Sequence, residues 1–383
     1  MTGPLESVNV LDLGTLGPGA RAVRILSDLG AAVVRIGALS GAWQLPFYAY
    51  GGMRGVRRCQ VDLRSEAGRA VALDLAAVAD VVVEGFRPGV ADRLGVGYEA
   101  VRAVSPSVVY CSATGFGQAG PRAGWAGHDL NYLALSGFLA VGQPLEDSRP
   151  ALPGATIADA AGGGMSAALA IVAALVRRAR TDSGAYLDVA ATDGMLGVMA
   201  MHLENHLATG ADVTYGADVI TGAYACYGIY ECADGRFLSV AAVEPKFFAN
   251  LCHALGLAEL IPLQYADDEQ ERVRIALDAA FAGRDRDDWV DSLSGRETCV
   301  APVLTVAEVV TDEGFRERGA FVLAEDPVRG QFRQLGPVIA GARRPAEPVL
   351  LPGQDVSDTD EVLAGVGYSS DDVDRLRRER VVR

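Results

Sequence analysis

Three ionisable side chains lie at junctions between segments of different sequence character, and the first is a histidine. His128 follows a glycine-rich segment, 115–127, and precedes a predicted helix that begins near Asp129. Because imidazole titrates near neutral pH, a histidine at such a junction is well placed to accept and return protons. Asp129 also fits a simpler role, since aspartate is a preferred residue at the start of a helix.

The second ionisable side chain is a carboxylate. Asp159 precedes the segment A-A-G-G-G-M, which leads into a long apolar helix. One interpretation makes Asp159 the N-cap of that helix, a position where aspartate is favoured. The other makes it a functional carboxylate, its pKa lowered by the positive end of the helix, with glycines that admit a ligand at close range. The local sequence is compatible with both.

The third ionisable side chain, Glu244, lies between a predicted strand and a predicted helix in V-A-A-V-E-P-K-F-F. An acidic residue beside a proline is common where a helix begins. The position alone therefore does not indicate a function.

Two further motifs suit a cofactor or a metal ion in residue type but not in spacing. Gly14, Gly17 and Gly19 form G-x-x-G-x-G instead of G-x-G-x-x-G, and the second predicted strand ends without an acid for a ribose hydroxyl. This favours a tight turn over a nicotinamide site. His202 and His206 share a helical face, but their order is not H-E-x-x-H, so we expect a plain helix surface or an interface and no metal ion.

The elements that would position these residues alternate between strands and helices. Such alternation predicts an α/β fold with a parallel sheet, whose ligand crevice lies at the carboxyl ends of the strands. The predicted strands are Val8–Leu13, Ala32–Ile36, Val81–Glu84, Val108–Ala113 and Tyr186–Val189. The predicted helices include Glu66–Ala77, Tyr98–Val104, one from about Asp129, a long buried one after Asp159, and Asp193–Leu207.

The pattern changes around Tyr224. Tyr224–Tyr230 and Arg236–Val243 alternate as strands do and are joined by A-D-G, which predicts a β-hairpin. Amphipathic helices follow it, so we predict a second, smaller α+β domain. The predicted domains are a large one formed by residues 1–219 and 321–383 and a small one formed by 220–320.

Composition excludes some function classes. The chain has 383 residues and a formal net charge of −15, so its surface would repel a nucleic-acid backbone.

The cysteines are scattered without a C-x-x-C pair, which is typical of reduced thiols in a cytoplasmic protein, and the first residues do not read as a signal peptide. The apolar stretch 160–176 is shorter than a bilayer span, which predicts a buried core helix and no membrane segment.

Taken in order, these segments resemble the class III coenzyme-A transferase (CaiB/BaiF-type) family, and within it the α-methylacyl-CoA racemase branch. The similarity runs along nearly the whole chain. It includes L-G-P-G-A at the first turn, E-G-F-R-P-G at 84–89, G-H-D-L-N-Y after the glycine-rich loop, Y-E-C-A-D-G-R at 230–236 and V-E-P-K-F at 243–247. Each motif alone is weak, whereas their order and spacing are specific.

The resemblance implies an interlocked homodimer, with a Rossmann-like large domain from both chain ends and a small middle domain. The active site would lie between the large domain of one subunit and the small domain of the other. The substrate would be an acyl-CoA thioester, with no cofactor beyond that coenzyme A. His128 and Asp159 match the acid/base residues of the racemase branch, and Glu244 matches the carboxylate that pairs with the histidine. Implied coenzyme-A contacts are Leu16, Arg57, Val61, Arg87, Arg93 and Asp129.

The implied reaction inverts the α-carbon of a 2-methylacyl-CoA by removing and returning its proton through an enolate. The alternative within the family is coenzyme-A transfer between two acids, with Asp159 as a nucleophile that forms a mixed anhydride. A thioester-binding protein without catalysis is a further alternative. The motif around His128 favours the racemase, because a transferase needs no histidine there.

Three positions depart from the family pattern. Ala155 stands where the racemase branch usually has an asparagine, four residues before the aspartate, so we expect altered hydrogen bonding of Asp159 unless Thr156 substitutes. Gly37 and Ala38 stand where the family often has an acid and a base, and we expect altered adenine or phosphate binding there.

Overall fold

The computed structural model of the chain describes residues 3–14, 16–39, 54–327, 329–342, 344–345, 347–351 and 357–383. The strands are β1 (Asn9–Asp12), β2 (Ala32–Gly37), β3 (Val56–Gln60), β4 (Val81–Glu84), β5 (Val109–Thr114), β6 (Ala185–Ala190), β7 (Tyr227–Glu231), β8 (Phe237–Ala241), β9 (Val300–Pro302), β10 (Phe321–Asp326), β11 (Gly330–Leu335) and β12 (Val349–Leu350). The α-helices are α1 (Gly17–Asp28), α2 (Glu66–Ala77), α3 (Val90–Arg93), α4 (Tyr98–Val104), α5 (Asp129–Leu135), α6 (Phe138–Val141), α7 (Ser166–Thr181), α8 (Ala191–Val198), α9 (Ala200–Thr209), α10 (Pro245–Leu255), α11 (Gln270–Phe281), α12 (Arg286–Leu293), α13 (Val306–Thr311), α14 (Glu313–Glu317), α15 (Thr359–Ala364) and α16 (Ser370–Arg378). A π-helix, Ala158–Met165, leads directly into α7.

A parallel sheet organises the first half of the chain, in the order β3-β2-β1-β4-β5-β6. Its central strand β4 is buried along its whole length, as in sheets covered by helices on both faces. The prediction of an α/β fold with a parallel sheet is confirmed. The order reverses between β1 and β4, so the loops that leave their carboxyl ends diverge and open a crevice.

Several predicted elements coincide with the observed ones where their ends carry clear local signals. The predicted helix at Glu66–Ala77 is α2, and Ser65 caps it by accepting the Gly68 N–H at 2.9 Å. The predicted helix at 193–207 is wrong in its continuity, because α8 ends at Val198 and α9 begins at Ala200. Strands β3 and β9 to β12 were not predicted.

The two faces of the parallel sheet pack against different helices. One face packs with Leu75 of α2 and with Val362 and Leu376 of the C-terminal helices α15 and α16. The other face packs with Leu26 of α1 and Ile171 of α7. The C-terminal helices thereby complete a core that begins with the first strand.

The glycines of the π-helix allow unusually close contact with its neighbours. A Cβ added to Gly163 would lie 2.4 Å from the Cβ of Pro18 in α1. A Cβ added to Gly194 in α8 would lie 1.7 Å from the carbonyl oxygen of Gly162. Both distances are shorter than any real contact, so the π-helix can lie between α1 and α8 only because these residues are glycines.

The chain divides into two compact units. The large unit comprises Met1–Ser136, Pro153–Met201 and Glu313–Arg383, and the small unit comprises Gly137–Leu152 and His202–Asp312. These contact-based boundaries and the predicted boundaries at 219 and 320 are drawn on different grounds, and the predicted ones stay a prediction.

The small unit contains the predicted hairpin. Strands β7 and β8 pair antiparallel, and β9 adds to the outer edge of β8. Helices α10, α11 and α12 cover one face, with Tyr230, Phe248 and Phe281 fully buried between the layers. The hairpin prediction is confirmed.

Among the residues described, one continuous helical run, Ala158–Thr181, is long and apolar enough to cross a bilayer by length and composition. Half of its apolar window is buried within the structure, as in a core helix of a globular protein. Length and composition are therefore weak evidence of a membrane span.

Candidate active site

Asp159 lies in the first turn of the π-helix, against the start of α1. Ile157 is the N-cap residue and Ala158 the first helical residue, so the interpretation of Asp159 as an N-cap is wrong. Its side chain is 8% exposed. A Cβ added to Gly17, the first residue of α1, would lie 3.5 Å from both carboxylate oxygens. The carboxylate therefore faces the amino end of α1, where a glycine leaves space around it.

The surroundings of Asp159 disfavour its ionisation. Burial, and secondarily the negative charge of Asp129, raise the pKa of Asp159 to about 6, while Arg21 and His128 act in the opposite direction. The expectation that the helix start would lower this pKa is wrong, because desolvation and a second carboxylate outweigh it. A carboxyl group with this pKa can both accept and donate a proton near neutral pH.

A hydrogen bond to Asp129 links the two segments that carry His128 and Asp159. His128 is exposed, is the N-cap residue of α5, and donates its backbone N–H to Asn131 Oδ1 at 3.0 Å. The next residue, Asp129, is 9% exposed, and its Oδ1 accepts the backbone N–H of Asp159 at 2.7 Å. The Asp129 carboxylate thus ties the start of α5, where His128 is the N-cap residue, to the turn of the π-helix that carries Asp159.

The glycine-rich loop before His128 is fixed by an aromatic cluster. Tyr132 of α5 donates its hydroxyl to the Gly127 carbonyl at 2.7 Å. The ring of Phe116 packs edge-on against Tyr132 at 5.0 Å and against Trp125 at 6.1 Å. Burial raises the pKa of Tyr132 to about 12, and the charges of Asp159 and Asp129 add to the effect, so this hydroxyl is a donor at neutral pH. These aromatic contacts fix the glycine-rich loop that immediately precedes His128.

The segment just before the π-helix is hydrogen-bonded to a side chain of α1. The Thr156 hydroxyl accepts a hydrogen bond from Arg21 Nη2 at 3.2 Å, and its carbonyl accepts the Ala160 N–H at 3.1 Å. Within the part of the chain that the structure describes, Asp159 receives no side-chain hydrogen bond on its carboxylate. Thr156 therefore bonds to Arg21 and does not replace the amide that Ala155 lacks.

Glu244 lies in the small unit at the start of α10. It is the N-cap residue by backbone conformation, yet its side chain forms no capping bond. Its carboxylate is exposed and, in the residues described, accepts no hydrogen bond. The side chain therefore does not serve the helix start and remains available to a ligand or another side chain.

Three of the implied coenzyme-A contacts follow the two strands at which the sheet order reverses. Leu16 follows β1 and is 61% exposed, while Arg87 and Arg93 follow β4 and are exposed. Among the described residues, neither arginine has a carboxylate partner within ion-pair distance. The turn that presents Arg87 is shaped by Glu84, a buried residue whose carboxylate accepts the Phe86 N–H at 2.6 Å. Two available cations therefore follow the strand at which the sheet order reverses, in a chain that is acidic overall.

The other implied contacts are placed differently. Arg57 lies early in β3, away from the carboxyl edge, and forms a loose ion pair with Glu361 at 3.7 Å. Val61 is 2% exposed, so its side chain belongs to the core, and its N–H is donated to the Gly37 carbonyl at 2.9 Å. Their contacts with coenzyme A stay a prediction, as does that of Asp129.

The two histidines of α9 contact different partners. His202 Nδ1 lies 3.6 Å from Asp218 Oδ2, and His206 Nδ1 contacts the Ala211 carbonyl at 2.8 Å. Over the described ranges, no group of three or more His, Cys, Asp or Glu residues is arranged to hold a metal ion.

The protein family follows from comparison with known proteins. A family model described as CoA-transferase family III matches residues 5–353. The chain belongs to this family. The resemblance seen in the ordered motifs is confirmed.

Within CoA-transferase family III, both reaction types occur among similar proteins. The human alpha-methylacyl-CoA racemase is 32% identical over 99% of this chain and 97% of its own length. The succinyl-CoA:glutarate CoA-transferase of Mus musculus is 30% identical over 92% of this chain and 84% of its own length. The chain is thus an enzyme of the family III racemase and transferase class.

The fold agrees with solved family III structures. The crystal structure of a CaiB/BaiF family protein from Brucella suis matches with a TM-score of 0.80 and 28% identity, covering 96% of this chain and all of that one. The six-stranded parallel sheet is consistent with this fold.

Two residues of this family III site were missed by the sequence interpretation. Arg21 was not singled out, because its partner Thr156 is 135 positions away and no local pattern joins them. Tyr132 carried a weak signal, since it follows His128 by one helical turn within G-H-D-L-N-Y.

Proposed function

We propose that this protein inverts the α-carbon of a 2-methylacyl-CoA thioester by proton removal and return through an enolate. The observation that carries the proposal is the Asp159 carboxyl, whose pKa of about 6 suits proton transfer and whose backbone is bonded to the neighbour of His128. Similarity to the human alpha-methylacyl-CoA racemase over nearly the whole chain supports it.

In the proposed reaction, His128 and Asp159 act on opposite faces of the α-carbon. One takes the α-proton, the C–H electron pair becomes part of the enolate, and the other delivers a proton to the opposite face. Each positioned group contributes about 10²–10⁴-fold. Glu244 would pair with His128 and hold its ring. The chemistry requires no cofactor beyond the coenzyme A of the substrate.

Different groups would stabilise the negative charge of the enolate and the negative charge of the nucleotide. The start of α1 at Gly17 faces the Asp159 carboxylate, and its backbone N–H groups can stabilise an oxyanion there. Arg87 and Arg93 would bind phosphate oxygens with charge-assisted hydrogen bonds.

We further propose that the protein acts as a homodimer, with Glu244 of one subunit serving the site of the other. An apolar stripe of the π-helix and α7 supports this, since Met165, Leu169 and Val176 are exposed there. Apolar patches of this kind commonly mark subunit interfaces. Sedimentation of dilute, active enzyme as a monomer would contradict the shared site.

Coenzyme-A transfer is the competing function, because a transferase of 30% identity is among the similar proteins. In that reaction Asp159 would attack the thioester carbonyl, releasing coenzyme A as thiolate and forming a mixed anhydride. An aspartyl nucleophile becomes acylated, whereas an acid/base aspartate does not. His128 favours the racemase, because transfer does not require it.

The deciding experiment is incubation with a 2-methylacyl-CoA in D₂O with no second acid present. We expect deuterium at the α-carbon and loss of optical activity in wild type. In Asp159→Asn we expect no inversion, with exchange limited to the enantiomer that His128 serves. Hydroxylamine trapping of an acylated Asp159, together with full activity of His128→Ala, would establish the transferase instead.

A further inference from the structure

The backbone that leads into Glu244 is held by two side chains from elsewhere in the small unit. Gln264 Nε2 donates to the Ala242 carbonyl at 3.0 Å and to the Val243 carbonyl at 2.7 Å. The Tyr265 hydroxyl also donates to the Val243 carbonyl. The two carbonyl groups immediately before Glu244 are therefore fixed by side-chain donors.

These donors are themselves fixed by a second glutamine. Gln270 Nε2 donates to the carbonyls of Leu263, Gln264 and Ala266 at 3.1, 3.2 and 3.0 Å. Its Oε1 accepts the Ala225 N–H at 2.9 Å. Gln264 is 6% exposed, and a buried carboxamide is costly to leave unbonded, so the turn that carries Gln264 has little freedom.

The hydroxyl of Tyr265 also interacts electrostatically with two other side chains. Burial raises the pKa of Tyr265, and the nearby Cys226 thiol and Glu244 carboxylate raise it further. Tyr265 is 42% exposed, so it stands at the surface beside an exposed Glu244 and not in the core. The same hydroxyl also interacts with the thiol of the buried Cys226, which helps to fix it beside the Val243 carbonyl.

We propose that Tyr265 and Gln264 are positioning residues for Glu244, an inference that rests on the function proposed above. By fixing the carbonyls one and two residues earlier, they set the Cα of Glu244 and the direction of its side chain before substrate binds. Such preorganisation matters because small misplacements of a reacting group cost large factors in rate. They act through the backbone and not on the reacting atoms.

The test compares two tyrosine variants. Tyr265→Phe removes the hydroxyl bond to Val243 and keeps the ring, which packs edge-on against Tyr224 at 5.1 Å. Tyr224→Phe is the matched control, since it removes the neighbouring hydroxyl, which bonds Asp267 at 2.8 Å. We expect kcat about tenfold lower in Tyr265→Phe, with KM and Tm equal to those of the control. Gln264→Leu should lower kcat further but also Tm.

A double variant separates positioning from other effects. Glu244→Gln should lower kcat, and adding Tyr265→Phe to it should cause no further loss, because both changes act through one group. The reaction followed is whichever of α-deuteration and coenzyme-A transfer wild type catalyses. The inference is overturned if Tyr265→Phe matches its control in kcat, or if Glu244→Gln is fully active. Failure of the proposed function would show separately, as transfer to a second acid without α-deuteration.

Discussion

The ionisation of Asp159 is set by groups from three elements. Burial in the π-helix and the Asp129 carboxylate of α5 oppose it, while Arg21 of α1 and the nearby His128 favour it. Tyr132 also faces the carboxyl from α5. The balance leaves a group that changes charge just below neutral pH, which is where proton transfer in both directions is easiest.

This balance has a consequence for stability that does not depend on the reaction. Because the folded-state pKa of Asp159 is raised to about 6, the contribution of this group to stability is fully present below the unfolded value of 3.8 and lost as pH rises through about 6. We therefore expect Asp159→Asn to be more stable than wild type at pH 8, by about 1–2 kcal/mol after allowing for residual solvent contact. At pH 4 the difference should shrink. Urea unfolding at both pH values measures it, and an equal difference at both would contradict the raised pKa.

At the scale of elements, the site depends on how closely the π-helix approaches α1 and α8. Gly163→Ala would place a methyl group 2.4 Å from the Cβ of Pro18, so the two helices would have to separate. We expect a loss of about 1–3 kcal/mol in the free energy of unfolding. The control is Gly197→Ala in α8, where no atom lies within 4 Å of the added Cβ. There a gain of about 0.5–1 kcal/mol is expected from helix propensity.

Helices and strands whose ends carry local sequence signals were predictable, whereas those whose conformation depends on tertiary packing were not. Helix α2 coincides with the predicted Glu66–Ala77, and the structure shows local features that fix its ends and its packing: Ser65 caps it and its buried residues recur at helical spacing. The π-helical winding of Ala158–Met165 has no local signal, since it accompanies packing against α1 and α8.

In the candidate site, too, the residues were predictable from sequence, whereas the properties that depend on tertiary packing were not. His128, Asp159 and Glu244 were selected by residue type and by resemblance, while local sequence left a capping role open for the aspartate. The direction of the Asp159 pKa shift was missed because it comes first from burial, which tertiary packing sets, and then from Asp129, which lies 30 positions away in the chain. The resemblance could name the residues but not their electrostatic surroundings.

For the whole molecule, the main electrostatic fact is a net charge of −15 on a protein proposed to bind an anionic nucleotide. Attraction must then come from local cations such as Arg87. We expect Arg87→Ala to weaken acyl-CoA and free coenzyme A equally and to leave kcat at saturation nearly unchanged. Wild-type affinity should fall as salt rises, and the variant should respond less.

Calorimetry at low and high salt measures both effects. Arg102→Ala is the control, since Arg102 is an exposed arginine bound to Glu99 at 2.8 Å in α4. An affinity of Arg87→Ala equal to that of the control would remove Arg87 from the binding site.

The C-terminal segment also constrains the order of events during synthesis. Val362 and Leu376 complete the core beneath β1 and β4, and the Asp62 N–H after β3 is donated to the Val381 carbonyl at 2.9 Å. While the ribosome makes the small unit, one face of the parallel sheet has no such cover. This interval lasts on the order of tens of seconds at ordinary elongation rates. During this interval α2 covers only part of that apolar sheet face, and the uncovered part is the kind of surface that chaperones bind.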